Sequence, residues 1–345
     1  MIAEFKSYTG VAPQGWDDIV RRLGGTVFHN TLWAEYRRRA ANVQPVFLLA
    51  RDRDGNPCAG AVALFRKSRR PLVSWIFREI QLTAHPFVTG EDPAMTISFF
   101  RHCEDLSRKF RCARIGIDSF MSGRSAFIPS EHGYMETRRL EFILDLTRDL
   151  DSLWKGMQKD QRERVRSLKR KGLTVEVGVT FEDLDGLRNA REATQAKRSH
   201  LGQGYQLTSG DDFYRGIHEY LIKTNAGRLL VARHEGQVVA AIFFATFNGK
   251  ACSVFSGSTE SGYKLGAQSS LFWTAVELFK AEGFVELNRG GVLACCANQS
   301  DPLHGIYLFK LRLGTTPVLC RSGVKVVDPM RDWMTRMRDG LRGSQ

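Results

Sequence analysis

Apolar positions along the chain switch between a helical period and a strand period, and the order of the switches repeats. Trp16 to Arg22 and Thr31 to Ala41 have helical spacing, with Asn30 or Thr31 placed to cap the second helix. Val46 to Ala50 and Ala59 to Phe65 are apolar runs around a turn with Asp54-Gly55, the pattern of a β-hairpin. Leu72 to Phe77 and Ile80 to Thr83 continue the strand character. Pro93 to Phe110 sets Ile97, Phe100, Cys103, Leu106 and Phe110 on one helix face, and Ala113 to Ile117 and Leu140 to Leu146 read as strands. In the second half, Asp211 to Ile222 is helical, and Leu229 to His234 and Val238 to Phe247 flank a turn at Glu235-Gly236. Ala251 to Gly257 adds a strand, Gln268 to Ala281 a long helix, and Phe284 to Leu287 the strand after it. The hairpins starting at Leu48 and Leu230 are about 180 residues apart, which predicts a duplicated unit of mixed α/β (α+β) type. The expected division is a first domain over 1–150, a linking helix over 151–172, a second domain over 173–328 and a basic tail over 329–345.

Between the repeats, Leu153 to Gly172 predicts one amphipathic helix ending at Gly172. At 100° per residue, Lys155, Lys159, Arg162, Arg166, Lys169 and Arg170 share one side, and Trp154, Met157, Val165 and Leu168 another. The cationic side reads either as a solvated face or as a surface for a polyanion. Fifty Lys and Arg against 37 Asp and Glu, a net charge of +13, add weight to the polyanion.

Hydrophobic content of 43% and a mean hydropathy of −0.27 are those of a globular chain. No apolar run approaches the roughly 18 residues a membrane crossing needs, and the N-terminus lacks the pattern of a secretory signal. The seven cysteines include an adjacent pair, Cys295-Cys296, but no C-x-x-C, so neither a disulfide framework nor a metal site is expected. The expected location is cytoplasmic.

Candidate chemistry concentrates in residues 290–314, GGVLACCANQSDPLHGIYLFKLRLG. A glycine pair follows the apolar run Phe284 to Leu287, where it allows a tight turn and close approach of another molecule. Lys310 follows the aromatics Tyr307 and Phe309, as a cation on the floor of a partly apolar pocket or as a wet residue on an amphipathic helix. Tyr307 and Phe309 read as pocket walls or as ordinary core. His304 is placed to act as base or proton shuttle, or is a plain polar loop residue. Cys295 has no His/Asn constellation and reads as an inert thiol.

In order along the chain stand Leu32-Trp33-Ala34; Trp154, Met157, Lys159 and Arg162; Thr194, Lys197 and Arg198 before Phe213-Tyr214; the hairpin Leu230 to Ala241; the helix Gln268 to Ala281; Gly290-Gly291; and Phe309-Lys310 with Gly314. In these features, over about residues 25 to 325, the chain resembles the Fem family of non-ribosomal aminoacyltransferases, within the wider GNAT-like acyltransferase superfamily. The resemblance implies two tandem GNAT-like domains, each a mostly antiparallel mixed sheet flanked by helices. It also implies transfer of an amino acid from aminoacyl-tRNA to an amine, often of a peptidoglycan precursor, and places Lys310 near the acyl-transfer centre.

Two departures stand out. Leu287-Asn288-Arg289 replaces the acidic residue the family often has before the glycine pair, and residues 181–205 leave no room for an extended coiled-coil arm. A small-molecule amine therefore competes with the cell-wall acceptor. The expected roles are Lys310, with backbone N–H groups near Gly290 or Gly291, for the oxyanion, and His304 for the proton. Tyr263, Asn288, Arg289, Gly290, Gly291, Tyr307 and Phe309 are expected to bind substrate, and the six cations of 155–170 to bind tRNA. No cofactor is expected beyond aminoacyl-tRNA as co-substrate. Acetyl-CoA or another acyl-CoA is the alternative donor, although Tyr263 to Gln268 has one glycine where the superfamily's phosphate loop has two. A non-catalytic nucleic-acid binder is the third reading.

Overall fold

The computed structural model describes residues 4–67, 77–123, 125–200 and 210–342. The chain forms two compact units, one of Met1–Arg139 with Leu319–Gln345 and the other of Leu140–Val318. In chain order, the first unit has β1 (Glu4–Thr9), α1 (Trp16–Arg22), α2 (Thr31–Ala41), β2 (Gln44–Arg51), β3 (Pro57–Lys67), β4 (Arg78–Leu82), β5 (Phe87–Val88), α3 (Pro93–Lys109) and β6 (Arg114–Ile117). β7 (Met135–Asp145) ends in the second unit, which continues through α4 (Leu150–Gly156), α5 (Lys159–Arg170), β8 (Thr174–Gly178), α6 (Phe181–His200) and α7 (Asp211–Ile217). It goes on with β9 (Gly227–His234), β10 (Gln237–Phe247), β11 (Lys250–Ser258), α8 (Glu260–Leu265), α9 (Ala267–Ala281), β12 (Glu286–Leu293) and α10 (His304–Arg312). β13 (Thr316–Val326) and α11 (Pro329–Arg342) return the chain to the first unit.

The duplication is visible strand by strand. The first unit has the order β1-β2-β3-β4-β6-β13 and the second β8-β9-β10-β11-β12-β7. In each, three antiparallel pairings lead to one parallel pair, β4 with β6 or β11 with β12, joined through a helix. A parallel neighbour requires such a crossover, here α3 and α9. Asn30 caps α2 through a 2.7 Å bond from the Trp33 N–H.

In the second unit, β10 is apolar almost throughout because both its faces are covered. Ile242 and Phe244 pack with Phe272, Val276 and Phe279 of α9. On the other face, Gly257 of β11 lies so close to α6 that a Cβ there would be 2.3 Å from the Ala190 carbonyl carbon. The first unit's core joins Val46, Leu48, Ala61, Ala63 and Ile80 to Met95, Phe99, Phe100 and Cys103 of α3, so Met95 and Phe99 take the place expected of Ile97.

Residues 153–172 form two helices instead of one. Met157 and Gln158 are extended, and the Gln158 N–H donates to the Arg312 carbonyl at 2.9 Å, tying the break to the end of α10. Arg162 donates to the carbonyls of Lys155 and Met157, satisfying acceptors the break leaves over. Trp154, Met157, Val165 and Leu168 do face the core, as the spacing predicts.

The paired glycines, expected in a turn after Phe284 to Leu287, lie within β12. The expected boundaries also move. Residues 140–172 belong to the second unit, while 319–328 and the expected tail belong to the first, where the tail is helix α11. Residues 72–76, expected as strand, and 201–205 lie outside the described residues.

Candidate active site

β11 and β12 pair in parallel at Lys250 with Glu286, Ala251 with Leu287 and Cys252 with Asn288, yet both strands run on, to Ser258 and Leu293. Just beyond the last pair the backbone of β12 kinks. The Gly290 N–H donates to Asn288 Oδ1 at 2.7 Å, and Gly290 has φ +75°, a conformation costly for any other residue. A Cβ there would lie 3.0 Å from the Ser253 carbonyl oxygen and 3.6 Å from Lys310 Nζ. A carbonyl turned out of a ladder needs another donor. Lys310 supplies it, donating from Nζ to the Arg289 oxygen at 2.8 Å.

Lys310 is 8% exposed, with Nζ 5.6 Å from the centre of the Phe142 ring. Asn288 is fully buried and donates through Nδ2 to Glu141 Oε2 at 2.7 Å. Leu287-Asn288-Arg289 has no acid, and the carboxylate against Asn288 comes from β7. Glu141 and Phe142 were missed in the sequence. A glutamate inside the apolar run LEFILDL was the available signal.

Arg289 is 5% exposed and donates to Ser253 Oγ at 3.1 Å and to Gln268 Oε1 at 2.8 Å, while its Nε has no partner among the described residues. Burial lowers its pKa to about 10. Gln268 donates onward to the Gly257 carbonyl at 2.8 Å and to Ser258 Oγ at 3.1 Å. Thr194 Oγ1 accepts from the Ser258 N–H at 3.0 Å and from the Tyr263 hydroxyl at 3.1 Å. Lys197 Nζ lies 3.8 Å above the Tyr263 ring. A continuous polar chain thus links the expected residues Tyr263, Arg289 and Lys310 through Thr194, Ser258 and Gln268, which the sequence reading had not assigned to the site.

His304, Tyr307 and Lys310 follow one another at three-residue steps along one side of α10. Tyr307 packs edge-on against Phe142 at 5.6 Å, and His304 stacks on Tyr307 at 5.8 Å. His304 Nδ1 lies 3.0 Å from the Cys296 carbonyl oxygen. A carbonyl only accepts, so Nδ1 carries the proton and Nε2 holds the lone pair in the neutral ring.

Other expectations need correction. Phe309, expected as a pocket wall, lies off this side of α10 and packs, partly buried, on the core of the second unit. The Gly290 N–H is committed to Asn288 and is not an oxyanion donor, while Gly290 and Gly291 are only partly buried. The cations of 155–170 also divide. Arg162 caps the α4 break, and Lys155 sits on α4 paired with Asp151 at 3.0 Å. Lys159, Arg166, Lys169 and Arg170 are exposed on α5, with Arg166 stacked over Trp154 at 5.3 Å.

The two crossover helices begin differently. α3 is capped by Asp92, which accepts from Ala94 and Met95, so its N-terminus already holds a carboxylate. α9 starts at Gly266 with no side-chain cap, and the Arg164 side chain lies against that glycine. Cys295 is exposed, but its pKa is raised by a hydrogen bond to Asp301, which argues against a reactive thiolate. Cys295, Cys296 and Asp301 bring three ligand-type atoms within 4.8 Å of one another, a grouping not anticipated from the sequence.

Residues 155–292 match the family model of the acetyltransferase (GNAT) domain, a range that includes the kink and Arg289. No curated protein sequence matches the chain. Among solved structures, FemX is similar over 94% of this chain and 98% of its own, with 13% identity and a TM-score of 0.68. The C-terminal domain of a putative lysylphosphatidylglycerol synthetase from Agrobacterium fabrum is 15% identical over 90% of each chain, with a TM-score of 0.55. A tandem GNAT protein from the clavulanic acid biosynthesis pathway is 13% identical over 94% of this chain and 99% of its own, with a TM-score of 0.50. The fold is therefore two tandem GNAT-like units, each a mixed, mostly antiparallel sheet flanked by helices, with the acetyltransferase-type match in the second.

Proposed function

We propose that the protein transfers an aminoacyl group from aminoacyl-tRNA to an amine, forming an amide. The observation that carries the reading is the buried Lys310 ammonium, anchored on the Arg289 carbonyl beside a partly open stretch of β12. In the reaction a neutral amine attacks the ester carbonyl carbon. A C–N bond forms, negative charge gathers on the carbonyl oxygen, and the C–O bond to the tRNA ribose breaks. The proton lost by the amine passes to the departing ribose oxygen, directly or through His304 Nε2. Lys310 stabilises the charge on the carbonyl oxygen, and its anchoring means little reorganisation is needed when that charge appears. The ester is already activated, so these steps balance without a further cofactor.

Lys159, Arg166, Lys169 and Arg170 would contact tRNA phosphates. The acceptor is a small amine or a peptidoglycan-type precursor. Dependence on charged tRNA fits a cytoplasmic setting.

The match to an acetyltransferase model favours a second reading, with acyl-CoA as donor. Against it, Arg289 bonds to Ser253 of β11 just past the last paired residues of β11 and β12, and an acyl chain entering there would have to displace a buried guanidinium from Ser253 and Gln268. The deciding test incubates the protein with a mixture of charged tRNAs and measures which one is deacylated or protected, alongside CoA affinity with and without Lys264→Ala. Tight, Lys264-dependent CoA binding with no effect on any charged tRNA would reject the aminoacyl reading.

A further inference from the structure

Helix α11 is packed with its polar side inward. Asp332 is buried and pairs with Arg114 at 3.1 Å and Arg336 at 2.6 Å. Thr335 is buried and donates to the Arg331 carbonyl at 2.8 Å, and Arg331 pairs with Asp328 at 3.1 Å. The apolar residues face outward, with Met330 64% exposed, Trp333 62% and Met337 53%. At 100° per residue these three fall within about 60° of one another on the helix. A helix serving only the fold turns its apolar stripe to the core, so this reversed arrangement points to an apolar partner outside the chain.

Charge identifies that partner. The helix sequence PMRDWMTRMRDGLR has four arginines against two aspartates, on a chain of net charge +13. We propose that α11 lies in the plane of an anionic lipid surface, with Met330, Trp333 and Met337 among the upper acyl carbons and the exposed Arg336 side chain toward the phosphates. Tryptophan on an apolar stripe beside arginines is the composition that partitions to this depth. At 14 residues the helix is about 21 Å long, short of the roughly 30 Å hydrocarbon core, so it would lie along the surface. None of the described helices is long and apolar enough to cross a membrane. A second copy of the chain fits less well, because it would bring two arginine-flanked stripes and two charges of +13 together. This inference is independent of the proposed acyl transfer.

The test is sedimentation of the full chain with vesicles of phosphatidylcholine alone and of phosphatidylcholine mixed with phosphatidylglycerol. The expected result is binding to the anionic vesicles about tenfold or more above the neutral ones, weakened by salt. Replacing Met330, Trp333 and Met337 together by serine should lower that binding about tenfold while leaving thermal unfolding unchanged, since all three are more than half exposed. Failure to bind anionic vesicles, or equal binding by the triple variant, overturns the proposal. So does a dimer in analytical ultracentrifugation that the triple variant abolishes, which would assign the stripe to a second copy.

Discussion

Replacing Lys310 by methionine removes an ammonium group and keeps much of the side chain's volume, so it tests charge more than packing. In the folded protein the change strips the Arg289 carbonyl of the donor that reaches it at 2.8 Å. An unsatisfied buried acceptor costs about 1–3 kcal/mol. That is less than the roughly 5–15 kcal/mol by which a domain is stable, so the variant should fold. If Lys310 stabilises the carbonyl oxygen, its loss should slow transfer by about 100- to 1,000-fold, or about 2.7–4 kcal/mol. The assay is single-turnover transfer from the charged tRNA identified by the deacylation screen, with enzyme in excess and the folded fraction measured by urea unfolding. A purely structural lysine would give a rate that falls only with the folded fraction. A folded variant within about threefold of the parent rate would refute the assignment, since the expected loss is some 30 times larger.

The α5 cations separate by role. Reversing Arg166, Lys169 and Arg170 to glutamate should weaken tRNA binding and flatten its dependence on salt by about one slope unit per lost phosphate contact, whereas Arg162→Ala should leave the slope alone and cost about 1 kcal/mol of stability through the uncapped carbonyls of Lys155 and Met157. Filter binding across a salt series would show either pattern, and an unchanged slope in the triple reversal removes α5 from the tRNA contact. Gly257→Ala places a methyl 2.3 Å from backbone of α6 and should destabilise the second unit by about 3 kcal/mol, read as a lower urea midpoint; an unshifted midpoint would contradict the tight approach. His29 and His85 are buried in the first unit, and burial lowers both pKa values to about 4. The unfolded chain binds their protons first, so the stability that depends on their neutral forms is present above about pH 6.5 and is lost toward pH 4, by at most about 3 kcal/mol each. Urea titrations between pH 7 and 4.5 that show no decline would contradict this.

The repeat was legible in the sequence because each half writes it with the same local signals. Asp54-Gly55 and Glu235-Gly236 mark the hairpins, and long apolar-faced helices follow them. Lys310 could be picked out as a cation after aromatics, but what holds it could not. Its anchor is a carbonyl exposed by a kink at Gly290, and the Asn288 side chain that makes the kink is fixed by Glu141, far away in sequence. Of the two readings of Phe309, the packing favours ordinary core. Adjacent residues on a helix point about 100° apart, so Phe309 lies off the face of His304, Tyr307 and Lys310. The break between α4 and α5 was hidden as well, because the interrupting Met157-Gln158 contains no proline or glycine and is held by the Arg312 carbonyl from the end of α10.

One unit of this protein is encoded in two pieces. During synthesis the ribosome releases all of Leu140–Val318 before the part of β13 that pairs with β6, from Gly323–Ile117 to Val326–Arg114. Until then the nascent first unit has an open edge at β6, a Glu104 still awaiting Lys325 and a His85 awaiting the Arg321 carbonyl. The inserted unit can finish folding first, and the strands that precede it in the chain complete their sheet only after it.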